Sequence, residues 1–349
     1  MNFTIVKADL KADRDNIKNF WKIHFPYWPQ TKYAWFYEEN LYGPASCWIA
    51  RDSATGNILG TTAIFPKKIL VDGQPAIGAI AGDLGVNKKY RNLGIAKMLQ
   101  RASVEYFISS DLDFLYGTPN IVSEQVCKNA GFEIIGRTVR MVKIIRSHDY
   151  IKRVVKIPFL SKILARPVDE FLKFFSEERR MPRPDKFSAE LLEDFDDRFD
   201  LLWQKMSDRH RMIGERTRQF LHFRFTQCPF KDFEIFALSE QPSGNMLGYI
   251  ISRLDQKNLH ISDILTIDSE IVLDRLIAEF LTFYRKYDID IITLTYFGKP
   301  DIIDRFRRFG FSTRPDNRTI IIYINHNSPY FETLTDAKNW HFLEGDNDA

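Results

Sequence analysis

One spacing restricts what this chain can fold into more than any other feature. Asp83 is followed 48 residues later by Gly131-Phe132, and Asp263 is followed 47 residues later by Gly310-Phe311. At an offset of about 180 residues the two halves show the same order of elements. Ile58-Leu59-Gly60 and Met246-Leu247-Gly248 each open a strand. In both halves a strand carrying the aspartate leads into an amphipathic helix, a short buried strand, a second helix, the Gly-Phe break and a last strand. The spacing predicts one fold used twice. The 349 residues agree, since domains run to roughly 100–200 residues each.

The halves differ at the start of the helix that follows the aspartate. The first half places Arg91-Asn92-Leu93-Gly94-Ile95-Ala96 there, preceded by Lys88 and Lys89. Glycine at a helix N-terminus lets the backbone approach a ligand, and free amides with the helix dipole favour an anion. The string reads as a diphosphate cradle. The second half has Ile271-Val272-Leu273-Asp274-Arg275, without glycine and with an acid where an anion would sit. Chemistry is therefore expected in the first half.

The run Leu84-Gly85-Val86-Asn87-Lys88-Lys89-Tyr90-Arg91-Asn92-Leu93-Gly94-Ile95-Ala96 resembles the acetyl-CoA motif of GNAT-type N-acetyltransferases. That motif is a strand ending Leu-x-Val, then Arg/Gln-x-x-Gly-x-Gly/Ala at the helix start. Asn120, after the next strand, and Gly131-Phe132 fit its downstream part, and the resemblance covers roughly residues 45–145. The second half resembles the same fold without the motif. Arg218 to Phe225 followed by Cys228-Pro229 resembles the linker of tandem GNAT proteins. The resemblance implies an α/β (α+β) chain of two GNAT-like domains, each a mixed, mostly antiparallel sheet flanked by helices. The expected boundaries are 1–145 for the acyl-CoA-binding domain, 146–186 for a basic helical linker, 187–330 for a degenerate second domain and 331–349 for a tail.

The resemblance also implies site roles. Leu84, Gly85 and Val86 would hold the pantetheine arm, with an amide near Leu84 or Gly85 polarising the thioester carbonyl. Arg91, Asn92, Leu93, Gly94, Ile95 and Ala96 would hold the pyrophosphate, and Asn120 would join them. Asp83 stands where a base is often found, and partial desolvation would raise its pKa toward a useful range; the alternative is a structural aspartate hydrogen-bonded to a neighbouring loop. The family's acid is usually a tyrosine seven residues after the asparagine; here that position is Cys127, and Tyr116 and Tyr90 are substitutes. The implied activity is acyl transfer from acetyl-CoA, or another acyl-CoA, to a primary amine of a small molecule such as an amino sugar. The alternatives are a degenerate CoA-binding interaction module and a transferase using another acyl donor. The aromatic and acidic run Trp28, Tyr33, Trp35, Phe36, Tyr37, Glu38, Glu39 and Tyr42 is a candidate acceptor wall, about half of it expected to be core.

Composition narrows the partners. Hydrophobic residues at 44% support a packed core, and 49 basic against 46 acidic residues give no global pull toward nucleic acid. Three distant cysteines, Cys47, Cys127 and Cys228, make neither a disulfide framework nor a metal spacing, so no metal is expected and a cytoplasmic location is. His210 and His222 read as surface or satisfied core. Residues 137–186 hold 14 Lys/Arg against 6 Asp/Glu, a basic stretch read as a solvated connector, with weak peripheral membrane contact as its minority reading. Phe187 to Thr226 reads as helical. The acidic end, Glu344 to Ala349, is expected to fray.

Overall fold

The computed structural model describes residues 2–147, 151, 167–171, 173–174, 176–182, 184–267 and 269–348. Its first half runs β1 (Phe3–Lys7), α1 (Arg14–His24), a π-helical turn (Tyr33–Glu38), β2 (Ser46–Asp52), β3 (Ile58–Val71), β4 (Gln74–Val86), α2 (Ile95–Ile108), β5 (Phe114–Gly117), α3 (Ile121–Asn129) and β6 (Glu133–Ile144). The second half repeats that order. It runs β7 (Phe187–Leu192), α4 (Asp197–Met206), an added short strand β8 (Met212–Gly214), a second π-helical turn (His222–Thr226), β9 (Glu234–Glu240), β10 (Met246–Asp255) and β11 (Asn258–Thr266). Then come α5 (Glu270–Tyr284), β12 (Ile291–Gly298), α6 (Pro300–Arg308) and β13 (Ser312–Tyr323).

The halves are not side by side as separate sheets. The strands run β1-β2-β3-β4-β5-β13-β6-β12-β11-β10-β9-β7, so the last strand of each repeat has crossed into the other. β13 pairs with β5, Ile322 opposite Tyr116, and β6 pairs with β12, Leu294 opposite Met141. Each repeat would leave a bare edge beyond its fifth strand, and the exchange covers both edges with backbone hydrogen bonds.

Each face of the sheet is covered by what the periodicity supplies. α2 buries Ile95, Leu99, Val104 and Phe107 against Leu59, Ala79 and Leu115. α1 buries Ile17, Phe20 and Trp21 on the opposite face, together with Tyr33, Phe36 and Tyr37 of the π-helical turn. At about 1.5–3 kcal/mol for each large apolar side chain, these stripes hold the helices in place.

Three expectations are corrected. Phe187 to Leu192 is a strand, because it pairs along β9 and the ladder outweighs a weak helical pattern. Arg218 to Phe225 is not a linker; it forms a helical turn (Arg218–Leu221) and the second π-helical turn, inside the second repeat. The acidic end does not fray through Asp348, and Ala349 lies outside the described residues: β14 (Trp340–Phe342) pairs antiparallel with β12 and parallel with β8, and Leu343, Gly345 and Asp346 are buried. Much of the expected linker and its basic face lies outside the described residues. Within them, buried Glu178 of the short helical turn Glu177–Arg180 accepts from Arg285 Nε and Nη2 at 2.9 and 2.7 Å. Among the described residues no helix is long and apolar enough to cross a membrane.

The acidic end is ordered because distant cations meet it. Glu344 accepts from Lys231 Nζ at 2.8 Å, Arg253 Nε at 3.3 Å and the Ser262 hydroxyl at 2.8 Å. Burial alone would raise the Glu344 carboxyl, but Lys231 and Arg253 hold it down, from 4.5 to about 2. A depressed folded-state pKa gives stability that is complete above the unfolded value and lost as pH falls through the folded one. Thermal scans are therefore expected to show Tm falling steeply from about pH 4.5 toward pH 2, and falling less in Glu344→Gln. Equal slopes for the two proteins would refute the assignment.

Candidate active site

β4 and β5 are parallel and bonded only from Gly78 opposite Phe114 to Ile80 opposite Tyr116. β4 then continues to Val86 while β5 ends at Gly117, which opens a wedge beside Ala81 to Val86. The second half separates in the same way: β11 and β12 are bonded from Asn258 opposite Ile291 to Ile261 opposite Leu294. There the chain fills its own wedge. β14 lies beside β12, and His341 Nε2 sits 2.9 Å from the Ile264 carbonyl oxygen.

Beyond Val86 lies the loop that the sequence reads as a cradle. The Asn87 side chain accepts from the Lys89 amide at 3.0 Å, and the chain then turns through Asn92 (φ 70°) and Gly94 (φ 79°) into α2. These left-handed residues turn the amides from Arg91 to Ile95 away from intrachain partners, and none of them donates to a protein group among the described residues. A Cβ on Gly94 would meet nothing within 4 Å, so the space over the helix end is open. In the second repeat the α5 start carries Asp274, whose carboxylate accepts from Arg305 Nη1 at 2.7 Å. That end is closed by protein charge.

Asp83 interrupts the β3–β4 ladder, where the register slips between Thr61 and Ala63, and it has φ 49°. The bulge turns its carboxylate into a nearly closed space. Lys32 Nζ donates to Oδ1 at 2.9 Å, and the Tyr37 hydroxyl donates to Oδ2 at 2.8 Å. Lys32 also lies over the rings of Phe65 (5.3 Å) and Phe36 (5.7 Å). Burial pushes the Asp83 carboxyl above its ordinary range, and the charge of nearby Asp348 adds to this; Lys32 and the Tyr37 hydrogen bond oppose it. Lys32 stays charged: burial disfavours its charge, but Asp348 and Asp83 together hold its pKa above the usual lysine value.

Other expected site residues go elsewhere. Cys127 is buried with Leu115, Phe132 and Ile321 on the α2 side, and burial pushes its thiol up to about 12. Its side chain belongs to the core. Tyr116 is fully buried and its hydroxyl donates to the Asp346 carbonyl oxygen at 2.8 Å. Asn120 caps its own helix, accepting from the Ser123 amide at 3.0 Å. Gly85 packs under Phe25, where a Cβ would come within 2.7 Å of the ring, so Leu84, Gly85 and Val86 line the wedge through backbone. The aromatic run is mostly core: Tyr33, Trp35, Phe36 and Tyr37 are buried, and Glu38 is taken by Arg14, whose Nε donates to Oε1 at 3.0 Å. Tyr37 alone of that run bonds to Asp83. Sequence reasoning missed Lys32 and Asp348. Lys32 carries no motif, and Asp348 lies 316 residues from it along the chain.

Comparison with known proteins places this geometry. Residues 6–135 match the acetyltransferase (GNAT) domain family. Residues 6–135 form a GNAT-type domain, and the whole chain shares the fold of tandem GNAT proteins. A probable N-acyltransferase from Enterococcus faecalis V583 is similar in fold at 13% identity and a TM-score of 0.64, covering 93% of this chain and 72% of that one. A GCN5-related N-acetyltransferase from Anabaena variabilis ATCC 29413 gives 15% and 0.65, covering 93% and 73%. A tandem GNAT protein from the clavulanic acid biosynthesis pathway gives 11% and 0.57, covering 92% and 98%. No curated protein matches the sequence. At such identities the likeness is one of fold. In this chain the start of α2 is open above Gly94, while in α5 Asp274 is paired with Arg305.

Proposed function

We propose that the first repeat is an acyl-CoA-dependent N-acyltransferase acting on a primary amine of a small molecule, with amino sugars as the first class to test. The observation that carries this reading is the edge of β4 left unpaired by β5 beyond Ile80, which runs from the buried Asp83 carboxylate, beside which Asp348 lies, past Leu84 to Val86 to the unbonded amides before α2. The residues present fit an acyl-CoA: free amides and an unobstructed Gly94 suit a diphosphate, and unpaired strand backbone suits an amide-bearing arm. Such a cosubstrate supplies an acyl group already activated as a thioester.

The protein's own contribution is position and proton handling. The amides from Arg91 to Ala96 would hold the pyrophosphate, and those at Leu84 and Gly85 would face the acyl carbonyl oxygen. Asp83 would accept a proton from the incoming ammonium at a carboxylate oxygen, releasing the amine for attack. Its raised pKa matches that work better than an ordinary carboxylate would. Among the described residues neither Cys127 nor Tyr116 is placed to protonate the departing sulfur, and a thiolate leaves with little help. Holding the two reactants in one wedge does the rest.

Acetyl-CoA at a hundredfold excess over its Kd should stabilise the folded chain by about 2.7 kcal/mol, seen as a rise in Tm. Gly94→Val is expected to remove that rise, because a β-branched side chain at φ 79° is strained and would project over the amides. A full Tm rise in the variant would overturn the cradle assignment. Acetylation of an amine panel that includes glucosamine, followed by thiol release, tests the reaction itself.

A further inference from the structure

The first repeat's site contains a residue from the far end of the sequence. From β14 the chain leaves the second wedge, crosses the middle of the molecule and enters the first. It is fastened at each step. The Asp346 carboxylate is bound by Arg216 Nη1 and Nη2 at 2.8 and 2.6 Å and by Lys67 Nζ at 2.8 Å. Its carbonyl oxygen accepts from the Tyr116 hydroxyl, and the Thr118 hydroxyl donates to Asn347 Oδ1 at 2.9 Å. Asp348 Oδ2 then lies 3.3 Å from Lys32 Nζ. A Cβ on Gly82 would fall 2.4 Å from that same oxygen, so glycine in β4 is what admits this carboxylate.

We propose that Asp348 is a positioning residue of the first repeat's site, holding Lys32 in the wedge between itself and Asp83. The inference rests on the reading of that site as the place of acyl transfer. One ammonium serves two carboxylates, at 2.9 Å from Asp83 and 3.3 Å from Asp348. Hydrogen-bond strength given to Asp348 is withdrawn from Asp83, and the second negative charge repels the first. The groups facing Asp83 come from every side: Lys32 and Tyr37 from the turn, the Cys47 thiol from β2 and Asp348 from the end of the chain. Alone with Lys32 and Tyr37, Asp83 would be a locked counter-ion. Burial and Asp348 together keep it basic. The second repeat thereby contributes to the first repeat's chemistry through the Arg216–Asp346 anchor.

The test uses the full chain with Asp348→Asn, Asp348→Ser and the conservative Asp348→Glu. The Asp83 carboxyl carbon is followed by 13C NMR against pH, its signal assigned by its loss in Asp83→Asn. The midpoint is expected to move to lower pH in the Asn and Ser variants and to return in the Glu variant. The acid limb of kcat for acetyl transfer to glucosamine should move the same way. kcat on the plateau should fall roughly tenfold, with KM for acetyl-CoA unchanged. A role confined to packing would lower Tm in both variants and leave the Asp83 midpoint where it was; that result overturns the proposal. If the unaltered protein acetylates no amine in the panel, the acyltransferase reading fails instead, and the carboxyl titration still decides the role of Asp348.

Discussion

Arg216→Ala is expected to lower stability by about 3–5 kcal/mol, the cost of leaving a buried ion pair half broken. Calorimetry should read this as a drop in Tm on the order of 10 °C. Arg216, Asp263 and Asp346 are all shielded from water. Arg216 Nε and Nη2 donate to Asp263 at 2.9 Å each, and Nη1 and Nη2 donate to Asp346 at 2.8 and 2.6 Å. Alanine would leave Asp263 with the Tyr249 hydroxyl at 3.0 Å, and Asp346 with Lys67. A double-mutant cycle with Asp263→Asn separates the pair from the loss of packing, because removing the second charge should recover part of the stability. Additive losses would show that the two groups do not depend on one another. The same variant frees the chain end that carries Asp348, so acyl transfer should fall along with stability.

Asp83→Asn is expected to lower kcat by about 10²–10⁴-fold, the range over which a positioned base contributes. Asparagine keeps the shape of the side chain, and Lys32 keeps its contact with Asp348. The acetyl-CoA-induced rise in Tm should therefore survive. That separation matters, because loss of both would mean that the bulge had collapsed, and survival of both would remove Asp83 from the reaction. In the unaltered protein the acid limb of the rate profile should lie above the usual aspartate range. Burial raises the carboxyl, and a base works only once it has lost its proton.

Asp263 shows why the repeats diverged. It occupies the place of Asp83 in the repeat, is fully buried and meets a guanidinium where Asp83 meets an ammonium. Arg216 offers a planar fork that fixes two carboxylates at once, which suits a permanent structural joint. The wedge beside Asp263 is filled by β14, and the helix beyond it begins with acids. In the second repeat the matching position is part of an anchor. The anchor holds the segment that reaches the first site.

Much of this was legible along the chain. The paired Asp and Gly-Phe intervals specify two copies of one element order, because helical and strand periodicities are local. Glycine at position 94 specifies the cradle, because only a residue free of Cβ strain turns there cheaply, at φ 79°. The exchange of β6 and β13 was not legible, since nothing local distinguishes a strand that pairs with its own repeat from one that pairs with the other. Cys127 read as an acid because the sequence gives spacing and not burial. The run Glu344 to Ala349 read as frayed because the cations that meet its described part, Lys231, Arg253, Arg216, Lys67 and Lys32, are scattered over the rest of the chain. By itself the sequence determined the repeated fold and the half that carries glycine at the helix start. Only the tertiary structure decided that the end of the second half completes the first half's site, because the charges that hold it there meet only when the chain is folded.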